Sequence, residues 1–453
     1  MVSLHIGIDD TDSPRMGCTT YVASLIVEKL VPLGVSFVDY PNLVRLNPNV
    51  PWKTRGNGAL CLRINCDENR LEEIKETTLD IVEKNSDLDS AGTEPGVVFY
   101  FGNTVPEELK AFTKQAIQGI VKMRDAVRLV KAFKAEAVAF KTQRGIVGAL
   151  AAVGETLTGD HTYELIAYRT PQNRGTPRQL EPASVLQMDK KTKPLTFNNL
   201  DPETGRILIT PHGPDPILYG IRGETATVVR RAHKMVKAIE PIERWTIFRT
   251  NHGTDAHLHK IASIKDIHPF NPVIVKGTVS KTPLIIPRRH VIFAISDETA
   301  QVDCAAYEPT GELRKKAQEL LTGDVVEAYG GVRPLSKKRP LTINLEKLRI
   351  LGLAPKTVFQ NPLCPQCSRR MESMGAGKGF RCPKCGFRST KLEKSIVEKG
   401  RDLQKKLYVT SPRSQRHLTK PLSRYGLEKT KRSETMILNW FWVNKSVLQI
   451  HTE

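Results

Sequence analysis

A chain of 453 residues with 40% hydrophobic content is too long for one ordinary core and too apolar to be disordered, so three or four packed domains are expected. Its formal net charge of +20 favours a polyanionic partner, nucleic acid ahead of an anionic membrane. No apolar run approaches membrane-spanning length, and MVSLHIGIDDTD turns acidic too early for a secretory signal, which points to a cytoplasmic protein.

The first predicted unit, residues 1–160, alternates strand-like runs (LHIGI, ALCLRI, VVFYF) with helical stretches at 18–33, 71–83 and 106–121. The second, 161–267, places strands at TYELIAY, RILIT and RWTIFRT around a helix at 225–238, which suits a ferredoxin-like module. Its RTPQNRGTPR and PHGPDP segments read as rigid loops. The third, 268–355, is strand after strand: VIVKGTVS, HVIFAIS, QVDCAAY, DVVEAYGGV and TINLEKL. A helix at 311–321 falls between the third and fourth, the order of an OB-fold barrel. The fourth, 356–453, holds paired cysteines and then a basic tail, expected to be helical. Its interleaved aromatics suggest a surface that tracks phosphates, although a solvated charge run is the commoner reading. The whole is a multidomain α+β protein.

Eight cysteines divide into four scattered ones and two tight pairs, a metal pattern of a reducing compartment rather than a disulfide framework. Cys364, Cys367, Cys382 and Cys385 form two CxxC knuckles at the spacing of a tetrahedral four-thiolate zinc site. Four thiolates leave no open position, so this Zn²⁺ is structural. With no histidine and no H-x-E partner, a zinc deaminase is excluded.

The chemistry is expected at the other end. In GIDDTD, Asp9, Asp10 and Asp12 arrive at the end of a buried strand, where carboxylates can hold Mg²⁺ beside substrate phosphates. Gly17, Cys18, Thr19 and Thr20 follow at a helix start, where free N–H groups and the dipole favour phosphate. DDTD is equally an ordinary turn, and Thr an ordinary N-cap. Lys53 and Arg55 in KTRGNG, the acid of GTEPG, and Lys141 and Arg144 in KTQRG could complete a triphosphate site. Each alone is more often a surface turn; together in one domain they carry more weight.

GIDDTD, GCTT, KTRGNGA, GTEPG, KTQRGIVGA, PHGPDP, YGIRG and the two knuckles, in this order, give a resemblance over essentially the full length. The chain resembles the archaeal 2-agmatinylcytidine synthetases that act on the minor, AUA-reading isoleucine tRNA. The resemblance implies an atypical kinase-like domain followed by ferredoxin-like, OB-fold and zinc-ribbon domains. It implies an ATP-dependent ligase that attaches agmatine to carbon 2 of the wobble cytidine of the CAU-anticodon isoleucine tRNA, with Thr19 accepting phosphate. The partners are then tRNA and agmatine, with no membrane and no protein partner implied. The OB-fold, ribbon and tail are expected to grip the tRNA body and acceptor end.

Agmatine is cationic at both ends, so its guanidinium calls for a carboxylate. Asp215 in PHGPDP is the first candidate and Asp160 the second, with His212 as a base and Arg222 for phosphate or the flipped base. A capping role for Asp215 and simple packing for His212 are as good a reading at this stage. Two rivals remain: a non-catalytic OB-fold and zinc-ribbon binder of single-stranded nucleic acid, which has no use for DDTD, and a small-molecule kinase, which turns over ATP without RNA.

Overall fold

The computed structural model of the chain describes residues 1–337, 339–431 and 435–448; Arg432 of the basic tail and residues 449–453 of the fourth unit lie outside them. Alternation makes Val2–Asp9 a central strand with Leu4, Ile6 and Ile8 fully buried on one face. It pairs antiparallel with Gly58–Cys66 and Gly96–Phe101, and Glu136–Ala139 and Asn42–Arg45 extend the sheet on either side.

The sheet does not end there. Asn42 and Leu43 pair in parallel with Arg249 and Thr250, so Ile242–Thr250 carries the same sheet into the second unit. Thr162–Arg169, Ile217–Gly223 and Thr196–Phe197 follow in order. One hydrophobic core runs under both units. It joins Val22, Ile26 and Ile74 on the amino-terminal helices to Val185, Met188 and Val229 on the helices Pro182–Thr192 and Ala226–His233. A second core, on the opposite face, packs Glu107–Gln118, Met123–Ala132 and Arg144–Gly154.

RILIT departs from expectation. Ile207 makes an isolated bridge to Leu200, and the place beside Thr162–Arg169 is taken by Ile217–Gly223. The backbone of RILIT is spent locally, with Asp201 N–H donating to Arg206 and Leu208 N–H to Asn199. The third unit is the expected barrel: Pro272–Ile286, His290–Ser296, Gln301–Ala306, Thr342–Gly352 and Val325–Arg333 close on themselves. The helix Glu312–Gln318 lies between the third and fourth strands in sequence. Thr357–Gln360 pairs with Ser395–Glu398 at the base of the ribbon.

The tail is not the basic helix expected, which is a correction. Among the described residues between 401 and 443 it makes two short strands (Leu407–Val409, Phe441–Val443) and two 3-10 turns (Pro412–Ser414, Leu422–Arg424), and its α-helix is the single turn Lys445–Leu448. Pro412, Pro421 and Gly426 break any long helix, and two of its aromatics, Tyr408 and Trp440, are buried. Tyr408 joins the barrel core and Trp440 the core under the large sheet. Phe441–Val443 pairs with Ile242–Thr250. Several of its basic residues are engaged within the fold: Arg424 bridges Glu224 and Asp160, Arg413 pairs with Asp201 and Glu203, and Lys429 reaches Glu224. The tail is a strap between domains, and its charge holds the fold together.

Two outcomes are expected. Arg424→Met leaves Glu224 and Asp160 without their guanidinium, so urea unfolding should show a loss of about 3–5 kcal/mol. Purified protein should carry about one zinc per chain, and metal analysis of a Cys364→Ser, Cys382→Ser variant should find it missing.

Candidate active site

A cavity of about 730 Å³ opens over the seam between the two units. That is ample for a nucleotide and a small co-substrate. Leu43 and Arg45 enter from one side of the seam, Glu164, Ile166, Gly220 and Arg222 from the other. The loop Trp52–Gly58, segment Leu208–Asp215 and tail residues Pro412, Arg413, Gln415 and His417 complete the walls.

Two helix amino termini meet the end of the strand Val2–Asp9. Thr19–Leu30 starts from Cys18 with no side-chain cap and no acid in its first turn, leaving its amides and dipole open to phosphate. Gly17, at φ 83°, turns the chain into it, and a Cβ there would press on the Thr11 carbonyl. The hydroxyl of Thr11 donates to that of Thr19 at 3.1 Å, and the Cys18 thiol lies 3.0 Å from the Thr20 hydroxyl. The second terminus is that of Arg144–Gly154, also without a side-chain cap. Its Gly148 lies directly on the Asp9 carboxylate, where a Cβ would collide.

The three aspartates are not equivalent. Burial, then the neighbouring Asp10, pushes Asp9 well above the usual carboxylate range. Asp10, in a left-handed backbone conformation at φ 59°, is raised by burial against the pull of Arg144, whose guanidinium it accepts at 2.6 Å. Asp12 accepts Arg55 at 2.7 Å. Arg55 also donates to the Gly17 carbonyl and lies 3.3 Å from Asp215. Asp215 is held by Arg178 at 3.1 Å as well, so two of the protein's own guanidinium groups already occupy the candidate agmatine carboxylate.

The remaining candidates are scattered. Lys53, Arg222 and His212 line the cavity, His212 at its exposed mouth beside Arg206. Asp160 does not line it, because Arg424, Lys420 and the Lys429 amide consume its oxygens. Lys141 does not line it either: its ammonium ties down the carbonyls of Leu88 and Ser90. Both are corrections of the same kind, residues whose charge serves the fold.

Sequence reasoning missed the inner wall. Glu164 accepts Arg222 at 3.1 Å and faces His252 at 2.9 Å, and the Arg45 Nε donates to His252. Burial alone would raise Glu164, but His252, Arg222 and Arg45 together hold it well below the usual range. Burial depresses His252 to about 4. His417 stacks on His252 with ring centroids 4.8 Å apart. A polar residue inside an otherwise apolar strand, Glu164 in TYELIAY, was the one available signal.

The four cysteine sulfurs lie within 4.8 Å of one another, with contacts of 3.4–3.7 Å. A tetrahedron with bonds of about 2.3 Å has edges of about 3.8 Å, so the set fits Zn²⁺. Asp9, Asp10 and Asp12 do not bring three ligand oxygens together in that way. Mg²⁺ there would have at most two of these carboxylates, with phosphate oxygens and water supplying the rest, which is its usual manner of binding. Among the described residues no helix is long and apolar enough to cross a membrane.

Known proteins resemble this chain along nearly its whole length. Four family models match in succession: the TiaS TCKD domain at 5–142, the TiaS FLD domain at 143–257, an OB-fold nucleic acid binding domain at 273–351 and the TiaS C-terminal zinc ribbon domain at 361–403. The isoleucine-tRNA 2-agmatinylcytidine synthetase TiaS of Methanocaldococcus jannaschii is 42% identical, over 93% of this chain and 99% of its own length. That of Staphylothermus marinus is 42% identical over 98% and 99%. A crystal structure of apo TiaS superposes with TM-score 0.82 at 39% identity, covering 93% of this chain and 97% of the other. A complex of TiaS with its isoleucine tRNA, AMPCPP and agmatine superposes with TM-score 0.80 at 36% identity, covering 94% and 98%. This chain belongs to the TiaS family of isoleucine-tRNA 2-agmatinylcytidine synthetases.

Proposed function

We propose that the chain uses ATP to attach agmatine to carbon 2 of the wobble cytidine of the CAU-anticodon isoleucine tRNA, so that the tRNA reads AUA. The observation that carries this reading is the single cavity where two uncapped helix termini, the aspartates of GIDDTD and the sheet seam meet. Relatives at about 40% identity over nearly the whole chain are named for this reaction, and one related structure contains tRNA, an ATP analogue and agmatine.

The chemical logic is direct. Carbon 2 of cytosine is a poor electrophile because its oxygen is a hopeless leaving group. Transfer of a phosphoryl group to that oxygen makes it one that departs as phosphate, and the neutral amine of agmatine forms the new C–N bond. An anticodon loop is already unpaired, which lowers the few kcal/mol needed to bring the base into an enclosed site.

Arg144, Arg55, Lys53 and the backbone amides of Gly17 and Cys18 before the helix and Thr20 in its first turn bind the triphosphate, with Thr19 beside its γ-phosphate as phosphoacceptor. Mg²⁺, held by two of Asp9, Asp10 and Asp12, would neutralise phosphate charge there. Burial and repulsion from Asp10, which together raise Asp9, support a cation at this point. Arg55 bridges Asp12 and Asp215, so phosphates that draw Arg55 away also free one oxygen of Asp215 for the agmatine guanidinium. Nucleotide would then bind before amine. His212 and Arg222 sit on the same cavity, at its mouth and inner wall, for the amine and the flipped nucleotide.

Asp10→Ala should abolish ATP consumption and product while tRNA affinity, read by filter binding, stays within about twofold; mass spectrometry of nucleosides finding normal 2-agmatinylcytidine would place the site elsewhere. Asp215→Asn should raise the agmatine concentration for half-maximal rate at least about tenfold yet spare phosphorylation of Thr19, which needs no amine. Normal agmatine dependence, or joint loss of both activities, removes Asp215 from the agmatine site.

A further inference from the structure

The tail was expected to serve RNA capture, yet it delivers one imidazole into the reaction cavity. His417 is placed from both sides. Its carbonyl accepts Gly253 N–H at 2.8 Å, and the next residue's carbonyl accepts Asp255 N–H at 2.8 Å. Thr410 and Thr419, on either side in the tail, bond to Glu346 of the barrel. The ring then lies almost flat on His252, at an interplanar angle of 13°.

Hydrogen bonding fixes which nitrogen carries the proton in each ring. His252 accepts Arg45 Nε at Nε2, so its proton is on Nδ1, facing Glu164. Both its nitrogens are therefore spent. His417 accepts Arg222 Nη2 at Nδ1, 3.4 Å away, so its proton sits on Nε2. That nitrogen lies beside Gly56, where a Cβ would stand 2.8 Å from it, and His417 lines the cavity. A glycine in the KTRGNG loop leaves the donor uncovered.

The surroundings keep this ring neutral. Burial, then Arg45, His252, Arg222 and Lys53, hold it well below its ordinary value, which makes it a poor proton acceptor and a permanent N–H donor. Around it stand Arg222, Arg45 and Lys53, with Glu164 as the nearby carboxylate of this wall. The wall therefore carries an excess of positive charge and one aimed donor, the arrangement that stabilises a phosphoryl oxygen.

We propose that His417 hydrogen-bonds through Nε2–H to a phosphoryl oxygen in the cavity, with Arg222 and Arg45 behind it, so that the strap from the barrel supplies part of the reaction site. The proton remains on Nε2 throughout. The inference rests on the reading of the cavity as the place of phosphoryl transfer.

The test uses full-length protein, ATP, agmatine and the tRNA transcript, with His417→Phe and His417→Gln. Phe keeps the stack on His252 but has no donor; the Gln amide can donate from nearly the position of Nε2. His417→Phe should lower kcat/KM for 2-agmatinylcytidine by about 10²–10³-fold, and His417→Gln should recover at least about tenfold of it. A loss expressed in the KM for ATP assigns the oxygen to the nucleotide, and one expressed in the Kd for tRNA assigns it to the RNA backbone. Wild-type rate in the Phe variant overturns the proposal, as do equal losses in both variants or a common loss of the melting transition, which would mark a packing role. Failure of the wild-type protein to make the product would instead reject the reading of the cavity.

Discussion

The helix Arg144–Gly154 lies closer to its sheet than side chains normally permit. Gly7 and Gly96 on the strands, and Gly145 and Gly148 on the helix, are the points of contact, and a Cβ at any of them would fall on backbone or on Asp9. Interiors pack at crystal-like density, so nothing else could fill that interface. The contact decides where the helix begins. With the helix seated on the strand ends, its first turn opens beside Asp9 and Asp10, facing the start of Thr19–Leu30. The neighbouring parallel pairing of Asn42 and Leu43 with Arg249 and Thr250 carries the same surface across to Glu164 and Arg222.

Most charges around the cavity are matched before any substrate arrives. Asp10 has Arg144, Asp12 and Asp215 share Arg55, and Glu164 has Arg222 and His252. On the proposed reading, binding of a triphosphate would be an exchange in which phosphate oxygens replace carboxylates on guanidinium groups already in place. Such a site is preorganised and does not expose bare charge in a low-dielectric wall. It also discriminates: a small anion that engages one arginine leaves an unmatched carboxylate behind, whereas a nucleotide with a cation can satisfy several groups together.

Much of this was legible in the sequence, and the exceptions share a cause. Alternation in LHIGI, ALCLRI and VVFYF reports burial on a sheet, and CxxC spacing reports metal geometry, because both are local consequences of short-range structure. The residues of GIDDTD, GCTT and KTRGNG were legible for the same reason. Asp160 and Lys141 misled because a charge in a turn looks the same whether it faces a ligand or a distant backbone. The tail misled more deeply. Its Arg413 and Arg424 are neutralised by Asp201, Glu224 and Asp160, about 200 or more positions away, and its Tyr408 and Trp440 fill cores built by other domains. Arg45, Glu164 and His252 become a cluster only when the sheet crosses its seam, a pairing that no window of sequence contains.

The strap also has a consequence in time. Synthesis proceeds from the amino terminus, and domains tend to fold as they emerge. The large sheet begins with Val2–Asp9 but receives the strand that pairs with Trp245 only at Phe441–Val443, and the cavity wall waits for His417. A nascent chain that has already folded its first two units thus has an incomplete cavity wall and an open place beside Ile242–Thr250. The order of translation acts as an interlock, delaying a complete cavity until the barrel and ribbon that precede the strap have been made.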